Sequence, residues 1–258
     1  MKISFIDIHS HLSFEDYKND FAAVLERMES NDVATICVGS DYESSKNAVK
    51  IASENKNIFA CIGLHPTDKK SETFDEKKHE EFVKNPKVVA IGECGLDYFR
   101  IAGDVEAEKA RQTKEFIKQI EYADKYQKPL MLHIRDAYED AYEILKKYDG
   151  KVKGNMHFFA GSLDWAKKFI DLGFTISFTG VITFARQYDE IIKNIPLDKI
   201  HAETDAPFVA PIPYRGKRNE PTYVIEVVKK IAEIRGESLE TVRIQLLENS
   251  KRTFNLKF

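Results

Sequence analysis

Phe5-Ile6-Asp7-Ile8-His9-Ser10-His11-Leu12 reads as a buried strand that ends in two histidines one residue apart. Side chains alternate faces along a strand, so His9 and His11 project the same way. On a helix the same spacing would turn them nearly opposite. Two imidazoles side by side at a strand end make half of a metal site. The fold follows from asking whether the rest of the chain repeats that strand and supplies the other half.

It repeats it eight times. Short apolar runs rich in Val, Ile and Phe recur at 5–9, 35–39, 59–64, 88–93, 129–133, 155–159, 175–178 and 200–203. Such runs read as parallel strands buried on both faces. Amphipathic Lys/Glu-rich segments of helical period lie between them, clearest at 15–30, 43–55, 74–85, 105–126, 138–148, 163–172 and 185–194. Two further helices follow, 220–235 and 238–253, with Gly236 as the stop of the first and Ser238 near the start of the second. Eight β-α units in 258 residues match the ~250 residues of a (β/α)8 TIM barrel. The expectation is therefore one α/β barrel domain over 1–258 with an extra C-terminal helix. A doubly wound open sheet is the alternative, but its Gly-rich turn after the first strand is replaced here by His-Ser-His-Leu.

Composition narrows the function. The hydrophobic fraction of 43% and charged fraction of 31% are those of an ordinary soluble enzyme. The net charge of -3 gives no global basic field, so a nucleic-acid substrate would have to be held locally. No apolar run approaches the ~20 residues needed to cross a bilayer, and the N-terminus carries no signal-peptide pattern; both point to a cytoplasmic protein with no membrane partner and no obligate protein partner. Cys37, Cys61 and Cys94 are sparse, odd in number and set in apolar runs, which reads as buried reduced thiols rather than a disulfide framework.

In a barrel, chemistry gathers at the C-terminal ends of the strands. Those ends read His9-Ser-His11, Gly63-Leu-His65-Pro66, Gly92-Glu93-Cys-Gly-Leu-Asp97, His133-Ile-Arg135-Asp136, His157-Phe-Phe159 and Glu203-Thr-Asp205-Ala-Pro207. Five of the seven histidines fall there, and burying so many polar groups without partners would cost several kcal/mol each. A metal turns them into ligands. The other two histidines get structural readings: His79 solvated in a charged helix, His201 below the site. Six donors exceed one ion's needs and suggest two divalent ions (Zn, Mn, Mg or similar). His9, His11 and Asp205 come from strands 1 and 8, neighbours once a barrel closes; His133 and His157 come from strands 5 and 6; Glu93 can offer one oxygen to each ion.

With these residues the chain resembles the TatD family of metal-dependent hydrolases, within the amidohydrolase-like TIM-barrel superfamily. The matching elements are Asp7-Ile-His9-Ser-His11-Leu, Gly63-Leu-His65-Pro66, Ile91-Gly-Glu93-Cys-Gly-Leu-Asp97, Leu132-His133-Ile-Arg135, Met156-His157-Phe-Phe-Ala-Gly-Ser162, Glu203-Thr-Asp205-Ala-Pro207 and Tyr214-Arg-Gly-Lys-Arg-Asn-Glu220-Pro, in family order. Ser10, Ser13, Phe158 and Ala160 depart from the usual family residues without removing a donor. The resemblance implies the ligand set His9, His11, Glu93, His133, His157 and Asp205, and deoxyribonuclease activity dependent on divalent metal, with DNA as substrate.

Roles follow from position. Asp205, with Glu93, is the catalytic candidate: it would orient the attacking water and take its proton. His65 is held extended by Pro66 and could bond a phosphate oxygen; Asp97 could support a ligand histidine or touch substrate; Arg135 could clamp phosphate. Asp7 reads as a buried carboxylate that supports the site without ligating. In the loop 211–221, Tyr214 could stack on a base while Arg215 and Lys217 hold phosphates. Two rivals share the residues: hydrolysis of a carbonyl substrate (an amidohydrolase or a deacylase of D-aminoacyl-tRNA), and a metal-loaded scaffold that binds without turnover.

Overall fold

The computed structural model describes residues 2–67 and 71–257. Eight parallel strands run in sequence order around one sheet: β1 Phe5–Ser10, β2 Val33–Val38, β3 Ile58–Ile62, β4 Val88–Asp97, β5 Leu130–Arg135, β6 Gly154–His157, β7 Phe174–Phe178 and β8 Ile200–Ala202. The sheet closes on itself where Ser10 bridges Ala206. Nine helices stand outside or below it among the described residues: α1 Phe21–Ser30, α2 Tyr42–Glu54, α3 Glu76–Val83, α4 Val105–Tyr126, α5 Tyr138–Lys146, α6 Leu163–Asp171, α7 Asp189–Asn194, α8 Val224–Arg235 and α9 Leu239–Phe254. The (β/α)8 barrel with its extra helix stands as expected.

The core has two apolar layers. Alternate strand residues such as Val33, Cys37, Ile62, Leu132 and Ile176 pack against the helices. The intervening residues Ile6, Ile8, Ile36, Val38, Phe59, Cys61, Val89 and Met131 form an inner cluster, joined by Leu247, Phe254 and Leu256 from α9 and the residues after it. All three cysteines are free and buried in these layers.

Helix starts follow local chemistry. Asp41 and Ser44 form a reciprocal capping box on α2. Ser162 caps α6 and Ser238 caps α9, while Gly236 ends α8 at φ 67°, a left-handed conformation open to glycine.

Several boundaries differ from the periodic pattern, among them 185–194, where a 3-10 turn, Arg186–Tyr188, precedes α7. The segment 15–30 splits into a 3-10 turn, Glu15–Tyr17, and α1. Arg218 takes the Asp16 carbonyl and both Asp20 carboxylate oxygens, and the buried Tyr17 hydroxyl donates to the Asn219 carbonyl, so this stretch serves the loop after β8 instead of a helix ladder. The helix at 220–235 opens with a 3-10 turn, Pro221–Tyr223, before α8. β4 runs four residues further than its apolar run, to Asp97, in register with Arg135.

His79 is a correction: it is 2% exposed, not solvated. It lies on the α3 face that carries Phe82 and Val83, stacked on Phe74 and edge-on to Tyr42. The charged neighbours that suggested exposure occupy the other faces. His201 sits below the site as expected, with Nδ1 3.0 Å from Ser250 Oγ and Nε2 3.3 Å from Thr253 Oγ1.

Candidate metal centre

The C-terminal ends of the strands open on a cavity of about 570 Å3 lined by His11, His65, Glu93, His133, His157 and Asp205, with Phe14, Phe208, Tyr138 and Tyr188 as its apolar walls. The backbone of β1 shifts register against β2 between Asp7 and Ser10. That irregularity separates Asp7 from the histidines. Asp7 accepts from the Thr204 amide (2.8 Å) and hydroxyl (2.6 Å) and from the His9 amide (3.2 Å), so it ties β1 to the chain just before Asp205. Burial pushes its carboxyl up to about 8, against the lowering effect of the Thr204 bonds.

His9 and His11 converge as the strand spacing required: their Nε2 atoms are 3.2 Å apart. His9 Nε2 lies 3.3 Å from Glu93 Oε2 and 3.8 Å from Asp205 Oδ1. His11 Nε2 lies 3.7 Å and 3.5 Å from the same two oxygens. A tetrahedron of donors 2.0–2.2 Å from a divalent ion has edges of about 3.3–3.6 Å. Five of the six separations among these four atoms lie close to that range, and two compact triads, His9–His11–Glu93 and His9–His157–Asp205, could each hold a cation. His11 Nδ1 is 3.0 Å from the Val38 carbonyl, which can only accept, so Nδ1 donates there and Nε2 is the nitrogen turned toward the cluster.

A second group surrounds the other Glu93 oxygen. His133 Nδ1 is 2.9 Å from Oε1, His65 Nε2 3.6 Å and His157 Nε2 3.7 Å. Each Glu93 oxygen thus faces its own set of imidazoles. His65, expected at the rim for substrate, stands inside this donor set, 11% exposed at its side chain. The donors are imidazoles and carboxylates with no thiolate, a set that suits Zn, Mn or a similar divalent ion.

Carboxylates back the second nitrogens of His133 and His157, while His9 Nδ1 is buried without a hydrogen-bond partner among the described residues. Asp97 Oδ2 is 2.9 Å from His133 Nε2, and its other oxygen accepts from the Phe99 amide at 2.8 Å. Asp97 is thereby committed to a histidine. Glu203, fully buried, places Oε1 2.9 Å from His157 Nδ1 and accepts from the Phe158 amide (2.7 Å) and the Ser177 hydroxyl (2.8 Å). Glu203 was not singled out in the sequence. Its signal was a carboxylate on the same strand face as Asp205, too deep in an apolar run to be left without a partner. Gln112 and Gln119 on α4 were also missed. Each holds both backbone groups of one strand-end residue: Gln112 those of Asp97 (2.8 and 2.9 Å), Gln119 those of Leu64 (2.8 and 3.0 Å).

The electrostatics describe a site awaiting positive charge. Burial alone would raise the Glu93 carboxyl, but His65, His9 and His157 around it hold it well below the usual range. Asp205 is lowered in the same way, burial being outweighed by His11, His157 and His9. Burial opposes charge on His157 and His133, yet Glu203 and Glu93 push the first up to about 10, and Asp97 with Glu93 push the second to about 9. Histidine protons stand in for cations, and a divalent ion would displace them. Asp205 itself is in the left-handed region, φ 55°, which Asp tolerates better than most residues and which turns its carboxylate into the cavity.

Not every expected contact is at the cavity. Arg135 lines it, with its guanidinium 3.6 Å from the Phe99 ring centroid. Tyr214, Arg215 and Lys217 are not among the described residues that line it. Tyr214 stacks on Tyr223 at 3.7 Å, Arg215 lies over Phe184, and the loop is drawn toward α1 by Arg218–Asp20 and by the Glu220–Arg27 pair. The described residues contain no helix long and apolar enough to cross a membrane.

The comparisons agree with this geometry. Residues 6–255 match the model of the family described as TatD related DNase. The chain is 39% identical over 255 residues to YabD of Bacillus subtilis, named an uncharacterized metal-dependent hydrolase, covering 97% of this chain and 98% of that one. It is 32% identical to YcfH of Escherichia coli, named likewise, covering 97% and 96%. Among solved structures, the TatD homologue YjjV of Escherichia coli superposes with a TM-score of 0.91 at 29% identity over the whole of both chains. A TatD-family hydrolase of Entamoeba histolytica gives 0.86 at 25%, covering 98% of this chain and 99% of that one.

Proposed function

The chain belongs to the TatD related DNase family and is a metal-dependent hydrolase, and from that premise we propose that it cleaves DNA phosphodiester bonds with two divalent ions held by His9, His11, Glu93, His133, His157 and Asp205. The observation that carries this reading is the split of Glu93, one oxygen toward His9 and His11 and the other toward His133, His157 and His65. When bound, such ions supply Lewis acidity and lower the pKa of water. The chain does the rest. Asp205, buried beside three imidazoles, orients the attacking water and accepts its proton. His65 either completes the donor set or bonds a phosphate oxygen. Arg135 at the rim supplies the fixed countercharge for phosphate. Phe208, half exposed and edge-on to Phe14 and His11, offers a face to a nucleobase. No lysine lines the cavity among the described residues, so a carbamylated-lysine amidohydrolase centre has no support.

The test is turnover by purified protein loaded with each of Zn, Mn and Mg. A single- and a double-stranded oligonucleotide are assayed beside an aminoacyl ester. Chelation should abolish phosphodiester cleavage and re-addition restore it. Asp205→Asn should keep its circular dichroism spectrum and lose about 10²–10⁴-fold in kcat. Faster turnover of the ester than of the oligonucleotides would overturn the nuclease reading, and an unimpaired Asp205→Asn would remove Asp205 from its role.

A further inference from the structure

Beyond the donor cluster, β4 ends at Asp97 and the chain turns through Tyr98, Phe99 and Arg100. Phe99 is a large aromatic left 38% exposed. Two guanidiniums rest on its ring: that of Arg135 at 3.6 Å from the centroid and that of Arg100 at 4.6 Å. Arg100 adopts φ 54°, a left-handed conformation that costs a non-glycine residue energy, and the turn folds it back over Phe99. Neither guanidinium is ion-paired or hydrogen-bonded to a described residue, unlike those of Arg27, Arg111, Arg218, Arg235 and Arg243. Of the carboxylates that line the adjoining cavity, Asp97 is taken by His133 and the Phe99 amide and Glu108 by Arg111. Arg135 lines both the hydrolytic cavity and an adjoining cavity of about 260 Å3, which Arg100, Phe99 and Asp97 also line.

A guanidinium stacked on an aromatic ring is fixed in orientation and keeps its in-plane N–H groups free to donate. Two such groups beside a phosphodiesterase site present a planar, bidentate match to phosphate oxygens. We propose that Arg100 and Arg135, braced by Phe99, form a second phosphate subsite that takes the phosphate one linkage away from the bond being cut. The proposal rests on the phosphodiester reading for its neighbour but not for its chemistry, since the subsite recognises a phosphate whether or not the adjacent bond is hydrolysed. The substrate strand then leaves the metal centre on the β4–β5 side, over Arg135 and toward Arg100, with Phe208 on the opposite wall left for a base.

Three thymidine dinucleotides test this: TpT, which carries only the scissile linkage, and pTpT and TpTp, each with one added terminal phosphate. With metal-loaded wild-type protein, one of the two phosphorylated forms should have a KM about tenfold below that of TpT. In Arg100→Ala that advantage should fall to twofold or less while kcat/KM for TpT is unchanged. Equal KM values for all three in the wild type overturn the subsite, as does an Arg100→Ala variant that keeps the preference or loses TpT cleavage in parallel. If none of the three is cleaved, the phosphodiester reading fails separately. Calorimetric binding of the same ligands then decides: tighter binding of a phosphorylated form that disappears in Arg100→Ala supports the subsite, and equal binding removes it.

Discussion

At the scale of single residues, the site was legible where chemistry forces a residue type and hidden where geometry chooses a partner. A histidine or carboxylate at the end of an apolar strand has few uses other than ligation, so six candidate donors could be picked from their positions, and the fold brings them together. What holds each donor could not. The partner of His157 Nδ1 is Glu203, two strands away and 46 positions on, and that pairing depends on register across the barrel wall. Glu203→Gln tests it. The imidazole should lose its negative support and metal affinity should fall about 10–100-fold, with the fold intact. Competition against a chromophoric chelator gives the Kd, and an unchanged value would show that Glu203 serves only the Phe158 amide and Ser177. Asp97 teaches the same lesson: four residues past Glu93 it read equally as a histidine's support or a substrate contact, and the extension of β4 put it in register with Arg135 and against His133.

At the scale of elements, periodicity located every strand and helix, and the errors lie where a side chain outbids the helix ladder. Arg218 on the Asp16 carbonyl cut the first helical segment, and no pattern in 15–30 announces a guanidinium arriving from two hundred residues away. The last helix shows the converse. α9 docks under the barrel through Asn249, which donates to the Leu197 and Ile200 carbonyls, and through Ser250 and Thr253 on His201. Burial there, with Arg252 adding to it, lowers the His201 pKa to about 3, against an unfolded value of 6.5. Between those values the unfolded chain binds a proton that the folded chain refuses. Stability is therefore lost as pH falls from about 6.5 toward 3, by up to about 1.4 kcal/mol per pH unit from this group. Urea unfolding of the wild type and His201→Gln at pH 7, 6, 5 and 4.5 should show the wild type losing more on acidification. Parallel curves would mean that the imidazole is protonated in place or that α9 has already lifted.

At the scale of the whole molecule, the eightfold repeat announced a barrel, but nothing in it says where a barrel shuts. β8 is three residues long, too short to zip the sheet alone. Closure falls to 204–206: the Asp205 amide donates to the His9 carbonyl at 2.9 Å, the His11 amide to the Ala206 carbonyl at 2.7 Å, and Thr204 to Asp7. The side chains of His9, His11 and Asp205, which should share an ion, project from the two sides of that seam. A ligand that binds only the closed form must stabilise it by mass action, by about 2.7 kcal/mol at one hundred times its Kd. For a domain of this size each kcal/mol is worth about 2–4 °C. Saturating divalent ion should therefore raise Tm by about 5–10 °C over chelator-treated protein, and His9→Ala, which empties one side of the seam, should cut that shift by more than half. If metal analysis finds the ion bound and Tm does not move, the donors do not gather across the closure, and the barrel is held shut by its backbone alone.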